Sequence, residues 1–307
     1  MRIVSLLPSS TEIVCALGLE NQLVGITHEC DYPASVGDKP RLTASRISHE
    51  TMTSAEIDHA VRSQLDGHGS IYNLDDVKLR ELKPDLILTQ ELCEVCAVSY
   101  KTVQRAARAF DADVKVVSLE PNSIEDIFAN IRLVGELTER DREANELLDR
   151  LTNRLETIRR QTKSIAKCPR TLMLEWLEPP FAPGHWVPEQ VQIAGGDHAF
   201  GKAGQRSVTT TAEEIRAYAP EVIVLIPCGY YKEEILRQLP SANLPEGWND
   251  LPAVKADQVW ATDATSYFSR PGPRVIDGVA ILAKILHPNI FGSPTSDEAI
   301  RVSEVRA

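Results

Sequence analysis

Basic residues are scarce in this 307-residue chain: Lys plus Arg number 33 against 44 Asp plus Glu, a formal net charge of -11. That sign repels nucleic acid and anionic lipid, and no basic stretch offsets it. Nucleic acid is therefore not an expected partner. The chain also lacks an uninterrupted apolar run of about 18 residues, so membrane insertion is not expected. Cysteines number six, at positions 15, 30, 93, 96, 168 and 228, too few and too scattered for a disulfide scaffold of this length. The opening MRIVSLLPSSTEIV places only five residues between Arg2 and Pro8. A secretory signal needs a basic region followed by roughly 7–15 apolar residues. As written, the chain is expected in the cytoplasm with reduced thiols, or in the periplasm if an N-terminal signal has been lost. Catalytic signatures are missing as well. There is no Walker-type loop, no G-x-S-x-G, no H-E-x-x-H and no paired catalytic carboxylates, and GGDH (195–198) is not a dinucleotide fingerprint. No enzyme activity is expected.

What the chain does have is apolar content of 43%, enough to fill real cores, and an internal echo. LRELKPDLIL (79–88) resembles IRAYAPEVIV (215–224), and ADVKVVSL (112–119) resembles ADQVWATD (256–263). RIVSLL (2–7) and RTLMLEW (170–176) then read as the first strand of each half. Short Val/Ile/Leu runs alternating with helical patterns imply parallel strands covered on both faces by crossover helices. The predicted fold is α/β, with two lobes built on parallel sheets. The first lobe spans 1–120, connecting helices 121–166, the second lobe 167–290, and a polar, disordered tail 291–307. Between the lobes, Ile124, Ile127, Ile131 and Val134 and then Leu147, Leu148, Leu151, Leu155 and Ile158 form helical stripes, suited to a long, stiff connecting helix.

Open parallel sheets present their ligand loops at the carboxyl ends of the strands. Those loops carry PSST (8–11), THECDYP (27–33), TQELCEVC (89–96), EPPFAPGHW (178–186), PCGYY (227–231) and TDATSYFSRPGP (262–273). A cleft between two lobes lined by them is the expected binding site. Ser9, Ser10 and Thr11 are expected to cap the first helix while offering amides to that cleft. Trp176, Trp186, Tyr230 and Tyr231 offer flat surfaces for stacking, with Trp186 expected to face the cleft. Cys93 and Cys96, spaced C-x-x-C, admit three readings: a redox pair, a tetrahedral zinc site completed by His28 and Cys30, or a small-residue wall with Cys30 packed beneath it.

The segments RIVSLLPSSTEIVCALGLENQLVGITHECDYP, LKPDLILTQ, GHWVPEQVQIAGGDHAFG and YFSRPGPRVIDGVAILAKILHP resemble the cobalamin-binding and iron-complex-binding substrate proteins of ABC importers, class III periplasmic-binding-protein-like, in their cobalamin-binding branch. The resemblance covers about residues 1–290. It implies two Rossmann-like lobes joined by a rigid helix, and a corrinoid or related metal chelate held between them without chemistry. The implied ligand residues are Ser9, Ser10, His28, Glu29, Cys30, Tyr32, Gln90, Cys93, Cys96, Phe181, Trp186, Tyr267, Phe268 and Arg270. Gln90 and Ser207 stand where the cobalamin binders carry tryptophans, and Ser266 where they carry an aspartate. Asp75 and Glu213 match positions where relatives meet an importer permease, Asp75 replacing the usual Glu. The implied protein is a monomer needing no cofactor, with zinc as the one candidate metal. The rival expectation is a cytoplasmic metallochaperone or tetrapyrrole-handling enzyme using His28, Cys30, Cys93 and Cys96.

Overall fold

The computed structural model describes residues 1–45, 52, 56, 57, 59, 60, 72–90, 103, 106 and 113–305. The chain forms two compact units. Unit 1 holds Met1–Met52, Glu56–Pro121 and Glu125–Asp149, and unit 2 holds Thr53–Ala55, Asn122–Ile124 and Arg150–Ala307. The fold is two-lobed α/β.

Unit 1 opens with β1 (Ile3–Ser5), α1 (Pro8–Ala16) and β2 (Leu23–Ile26). An antiparallel pair follows, β3 (Thr43–Ser45) with β4 (Tyr72–Leu74), then α2 (Asp76–Leu82), β5 (Leu86–Thr89) and β6 (Lys115–Ser118). Its main sheet has the order β2-β1-β5-β6, all parallel. Every residue of β1 and β5 is buried, as central parallel strands must be when helices cover both faces. The connector is two helices, α3 (Ile124–Leu137) and α4 (Asp141–Thr162), in the stretch 121–166 where connecting helices were expected, α4 being the long one. The break follows from Thr138, whose Oγ1 donates back to Val134 O at 2.6 Å, and from Glu139, which takes a left-handed φ of +58°. Ile124, Ile127, Ile131 and Val134 are buried, and so are Leu147, Leu148, Leu155 and Ile158. The boundary between the units falls inside α4, after Asp149.

Unit 2 runs β7 (Thr171–Leu174), β8 (Trp176–Leu177), β9 (Pro180–Ala182), α5 (Val187–Ile193), β10 (Val208–Thr209), α6 (Ala212–Tyr218), β11 (Val222–Leu225), α7 (Lys232–Gln238), β12 (Val259–Thr262), α8 (Ala264–Tyr267), α9 (Val275–Leu286) and β13 (Ala299–Arg301). Its main sheet is ordered β13-β12-β11-β7, and β8, β9 and β10 form a separate antiparallel sheet. The tail expected to be disordered instead supplies β13, antiparallel to β12 with Ala261 opposite Ile300. Arg301 lies 4.8 Å over the Trp260 ring, and Ala299 is buried. An open sheet edge recruits any strand able to satisfy its backbone groups, which a polar composition does not prevent.

The echo between the halves extends to geometry. β1-β5-β6 and β7-β11-β12 share strand order and direction. Before β5 and before β11 the preceding helix ends in a left-handed residue, Lys83 at φ +44° and Ala219 at φ +51°, each followed by Pro. Arg2 N donates to Asp85 at 2.6 Å and Arg170 N to Glu221 at 3.1 Å, two acids at matching positions. Each unit then adds its own fourth strand, β2 beside β1 and β13 beside β12.

Candidate functional site

In unit 1 the carboxyl ends of β1 and β2 lead into the first two expected ligand loops. Pro8 starts α1, since its fixed φ suits the first helical position and its missing N–H is not needed there. Ser9, Ser10 and Thr11 therefore lie inside the helix and do not cap it; the N-cap is Leu7, without a side-chain bond. Their hydroxyls turn inward. Ser10 Oγ donates to Leu7 O at 3.0 Å and lies 2.5 Å from Ser5 Oγ, while Thr11 Oγ1 donates to Ser5 Oγ at 2.7 Å. Thr11 Oγ1 also sits 3.0 Å from Cys30 Sγ. Ser9, Ser10 and Cys30 are thus buried packing groups, while the Cys93 and Cys96 wall expected above Cys30 lies outside the described residues. Nearby Cys15 has its thiol pushed up to about 12, chiefly by burial and then by Glu20.

The loop after β2 is shaped by a residue that sequence reasoning passed over. Arg41 Nη1 donates to the carbonyls of Thr27, His28 and Cys30 at 3.1, 3.0 and 2.6 Å. An isolated Arg between Pro40 and Leu42 carries no motif, so nothing in the sequence marks it. His28 Nδ1 lies 2.7 Å from Thr43 Oγ1, and its ring sits 5.5 Å from that of Tyr72. Its Nε2 has no hydrogen-bond partner among the described residues and is 3.7 Å from Glu29 Oε1. Burial lowers the His28 pKa, Glu29 opposing and Arg41 assisting, so the imidazole is neutral at pH 7. Tyr72 Oη donates to Glu29 Oε1 at 3.3 Å. Tyr32 is 48% exposed, and Gln90 is buried just beyond β5. Cys93 and Cys96 lie outside the described residues; among the described residues no three His, Cys, Asp or Glu side chains converge to hold a metal.

In unit 2 the β8–β9 hairpin follows β7 directly. Phe181 on β9 is half-buried, opposite Trp176 and Thr209 in the small sheet. Trp176 stacks on Tyr230 with ring centroids 5.7 Å apart and planes 12° apart, and its Nε1 donates to Glu178 O at 3.1 Å. Trp186, expected to face the cleft, is 7% exposed, and its Nε1 donates to Phe268 O at 2.8 Å. Phe268 is itself 2% exposed. These two belong to the core because the indole N–H finds its partner inside, which removes the reason for keeping one edge wet.

Tyr267 remains half-buried beyond β12, with its hydroxyl pKa raised by burial and by Asp263 and Asp277. Arg270 is buried. The segment carrying both is tied down by Gln190, whose Nε2 donates to Tyr267 O at 3.0 Å and Val275 O at 2.8 Å. Gly278 makes room for that bridge: a Cβ there would come within 2.6 Å of Tyr267 O and 2.7 Å of Gln190 Nε2. A groove of about 530 Å³ in unit 2 is lined by Leu177, Pro180, Thr210, Leu244 and Pro245 among others, and by none of the expected ligand residues. Asp75 and Glu213 are both exposed. Asp75 caps α2 by accepting Lys78 N at 2.9 Å, and Glu213 lies in the first turn of α6.

Two α/β units with aromatic and polar loops at the carboxyl edges, and no convergent catalytic groups among the described residues, agree with a match to the periplasmic binding protein family over residues 3–265. The chain belongs to that family. It is a solute-binding protein and not an enzyme. An uncharacterized ABC transporter substrate-binding lipoprotein of Bacillus subtilis is 26% identical over 298 residues, covering 94% of this chain and 81% of its own. A vitamin B12-binding protein of Vibrio cholerae is 25% identical over 282 residues, covering 91% and 86%. Among solved structures, the periplasmic heme-binding protein RhuT of Roseiflexus sp. RS-1 superposes with a TM-score of 0.70 at 21% identity, over 93% of this chain and 97% of that one. One of these relatives is a lipoprotein and another periplasmic, which runs against the cytoplasmic placement expected from the sequence. The enzyme or metallochaperone alternative finds no support in the family.

Proposed function

We propose that this chain is the substrate-binding component of an ABC-type importer, works outside the cytoplasm, and carries a corrinoid or a related metal chelate. The observation that carries the ligand class is the likeness to a vitamin B12-binding protein over 91% of the chain. The half-buried rings of Phe181 and Tyr267, beside strand ends that carry ligands in such sheets, agree with it. Flat macrocycles are held largely by aromatic area, and such rings supply it with little rotamer entropy to lose. In unit 1, the Nε2 of His28, without a hydrogen-bond partner among the described residues, is closed off from solvent, so His28 supports the loop after β2 and adds nothing to the ligand reading. Asp75 and Glu213 are the acids proposed to meet a permease.

The test is to purify the protein from its own cells and identify what it carries by absorption spectrum and mass spectrometry. Calorimetric titration with cyanocobalamin and hydroxocobalamin follows, with hemin as the rival. Micromolar or tighter corrinoid binding is expected. Tight hemin binding with no response to either cobalamin would reassign the ligand to a porphyrin chelate, and binding of none would remove the whole ligand class.

A further inference from the structure

Glu175, the first residue after β7, is a carboxyl without a charge to answer it. Its backbone N–H donates to Phe181 O at 2.9 Å and its carbonyl accepts Cys228 N at 3.1 Å, which holds the residue between the β8–β9 hairpin and the loop after β11. Its side chain meets Ser207, whose Oγ donates to Glu175 Oε2. The same Ser207 oxygen accepts the backbone N–H of Gly184 at 3.2 Å. A hydroxyl has one proton to give, so this chain from Gly184 through Ser207 aims that proton at the carboxyl. Gly184 has no spare room, since a Cβ there would run into the Gln205 and Arg206 backbone.

Among the described residues, Glu175 Oε1 has no hydrogen-bond partner and neither oxygen has an ion pair. Burial pushes the carboxyl up, and the Ser207 bond offsets only part of that. The titratable groups on the elements around it are Glu178, His185, Arg206, Cys228, Tyr230 and Tyr231, and none of them is among the causes of the shift. Nevertheless the residue stays partly open to solvent, at the edge where ligands of such sheets bind. A desolvated, half-satisfied carboxyl costs stability, so it marks a site that something else completes.

We propose that Glu175, oriented by Ser207, recognises the ligand by accepting a hydrogen bond from one of its N–H groups. The inference rests on the binding-protein reading and deepens it: the ligand must carry an amide, amine or similar donor at its rim, as corrinoids do and plain porphyrins do not. The donor supplied by the ligand favours the ionised carboxylate, so binding shifts a proton from Glu175 to solvent and affinity rises with pH.

Two measurements test this. In the free protein, NMR of glutamate labelled at the carboxyl carbon follows the resonance that Glu175→Gln removes. It should titrate above the ordinary Glu range near about 4.3. Calorimetry with cyanocobalamin between pH 5.5 and 8 should show affinity rising with pH and proton release in buffers of different ionisation enthalpy. Glu175→Gln should bind about tenfold or more weakly at pH 8, with the pH dependence gone. Ser207→Ala should weaken binding and also lower thermal stability, because it leaves the Gly184 N–H and the Glu175 carboxyl without their shared partner. Equal affinities in wild type and Glu175→Gln would overturn the proposal. If wild type binds no cobalamin, the corrinoid reading fails by itself. The free-protein titration then decides on Glu175, an ordinary value overturning the inference and a raised one supporting it.

Discussion

At the scale of single residues, aromatic side chains of the same kind divide into two roles. Trp186 and Phe268 have their polar and apolar demands met inside unit 2, whereas Phe181 and Tyr267 keep part of each ring accessible. Trp186→Ala is therefore expected to cost about 3–5 kcal/mol of stability, the range for removing a buried large aromatic. Phe181→Ala should leave the thermal midpoint within a degree or two and lower ligand affinity severalfold. Thermal melts and calorimetry on both variants check the division; a Phe181→Ala protein as unstable as Trp186→Ala would place that ring in the core too. Glu175 gives a prediction of opposite sign. Its raised folded pKa means that its contribution to stability is full below the unfolded value near about 4.3 and is lost as pH rises through the folded value. Glu175→Gln should raise the melting temperature at pH 7.5 and not at pH 4, even as it weakens binding.

At the scale of elements, the periodic signals were legible and the local ones less so. The apolar runs marked β1, β5, β7 and β11 because strands buried on both faces need no alternation to be recognised. The pair KPDLIL and APEVIV was readable for the same reason, and the matching left-handed residues Lys83 and Ala219 show that it reflects shared backbone geometry. The start of α1 was misplaced by two to four residues, the N-cap being Leu7 and not Ser9, Ser10 or Thr11. Ser, Ser and Thr suit a cap, but Pro8 suits the first turn, and the buried hydroxyl cluster with Ser5 repays moving them inward. Helix α6 carries a full capping box, with Thr211 Oγ1 accepting Glu214 N at 3.2 Å and Glu214 Oε2 accepting Thr211 N at 2.8 Å. Thr211→Ala should cost about 1 kcal/mol, measured by urea unfolding. Strand β13 was not legible, because an edge strand of three residues in a polar tail has no pattern of its own. Truncation before Ala299 should expose β12 and promote association, visible by light scattering.

At the scale of the whole molecule, the histidines and Glu175 pull stability in opposite directions. Burial lowers the pKa of His28, His185 and His198, so each takes up a proton more readily unfolded than folded. His198 is the deepest, with Nδ1 donating to Thr171 O at 3.1 Å. Stability should be full above the ordinary histidine value near about 6.5 and fall as pH drops through it, with His198→Gln flattening that limb in thermal melts at pH 5 to 7.5. Import is the other whole-molecule property. Glu213→Arg should leave cobalamin affinity unchanged and depress uptake in cells, since Glu213 is exposed and its loss uncovers nothing. Normal uptake by that variant would remove Glu213 from permease docking.

Sequence alone determined that this chain folds into two α/β halves and which strands lie at their centres, because strands buried on both faces read as short apolar runs. It also determined the family, through segments whose spacing those strands and the loops after them constrain. Only the tertiary structure decided which members of those loops face outward. Trp186 was expected to face the cleft and Glu175 was passed over inside RTLMLEW, since a side chain's partners come from distant positions: Phe268 for one, Ser207 and Gly184 for the other. Arg41 and Gln190 were invisible for the same reason. Their work is to bond backbone carbonyls, and a carbonyl leaves no mark in the sequence.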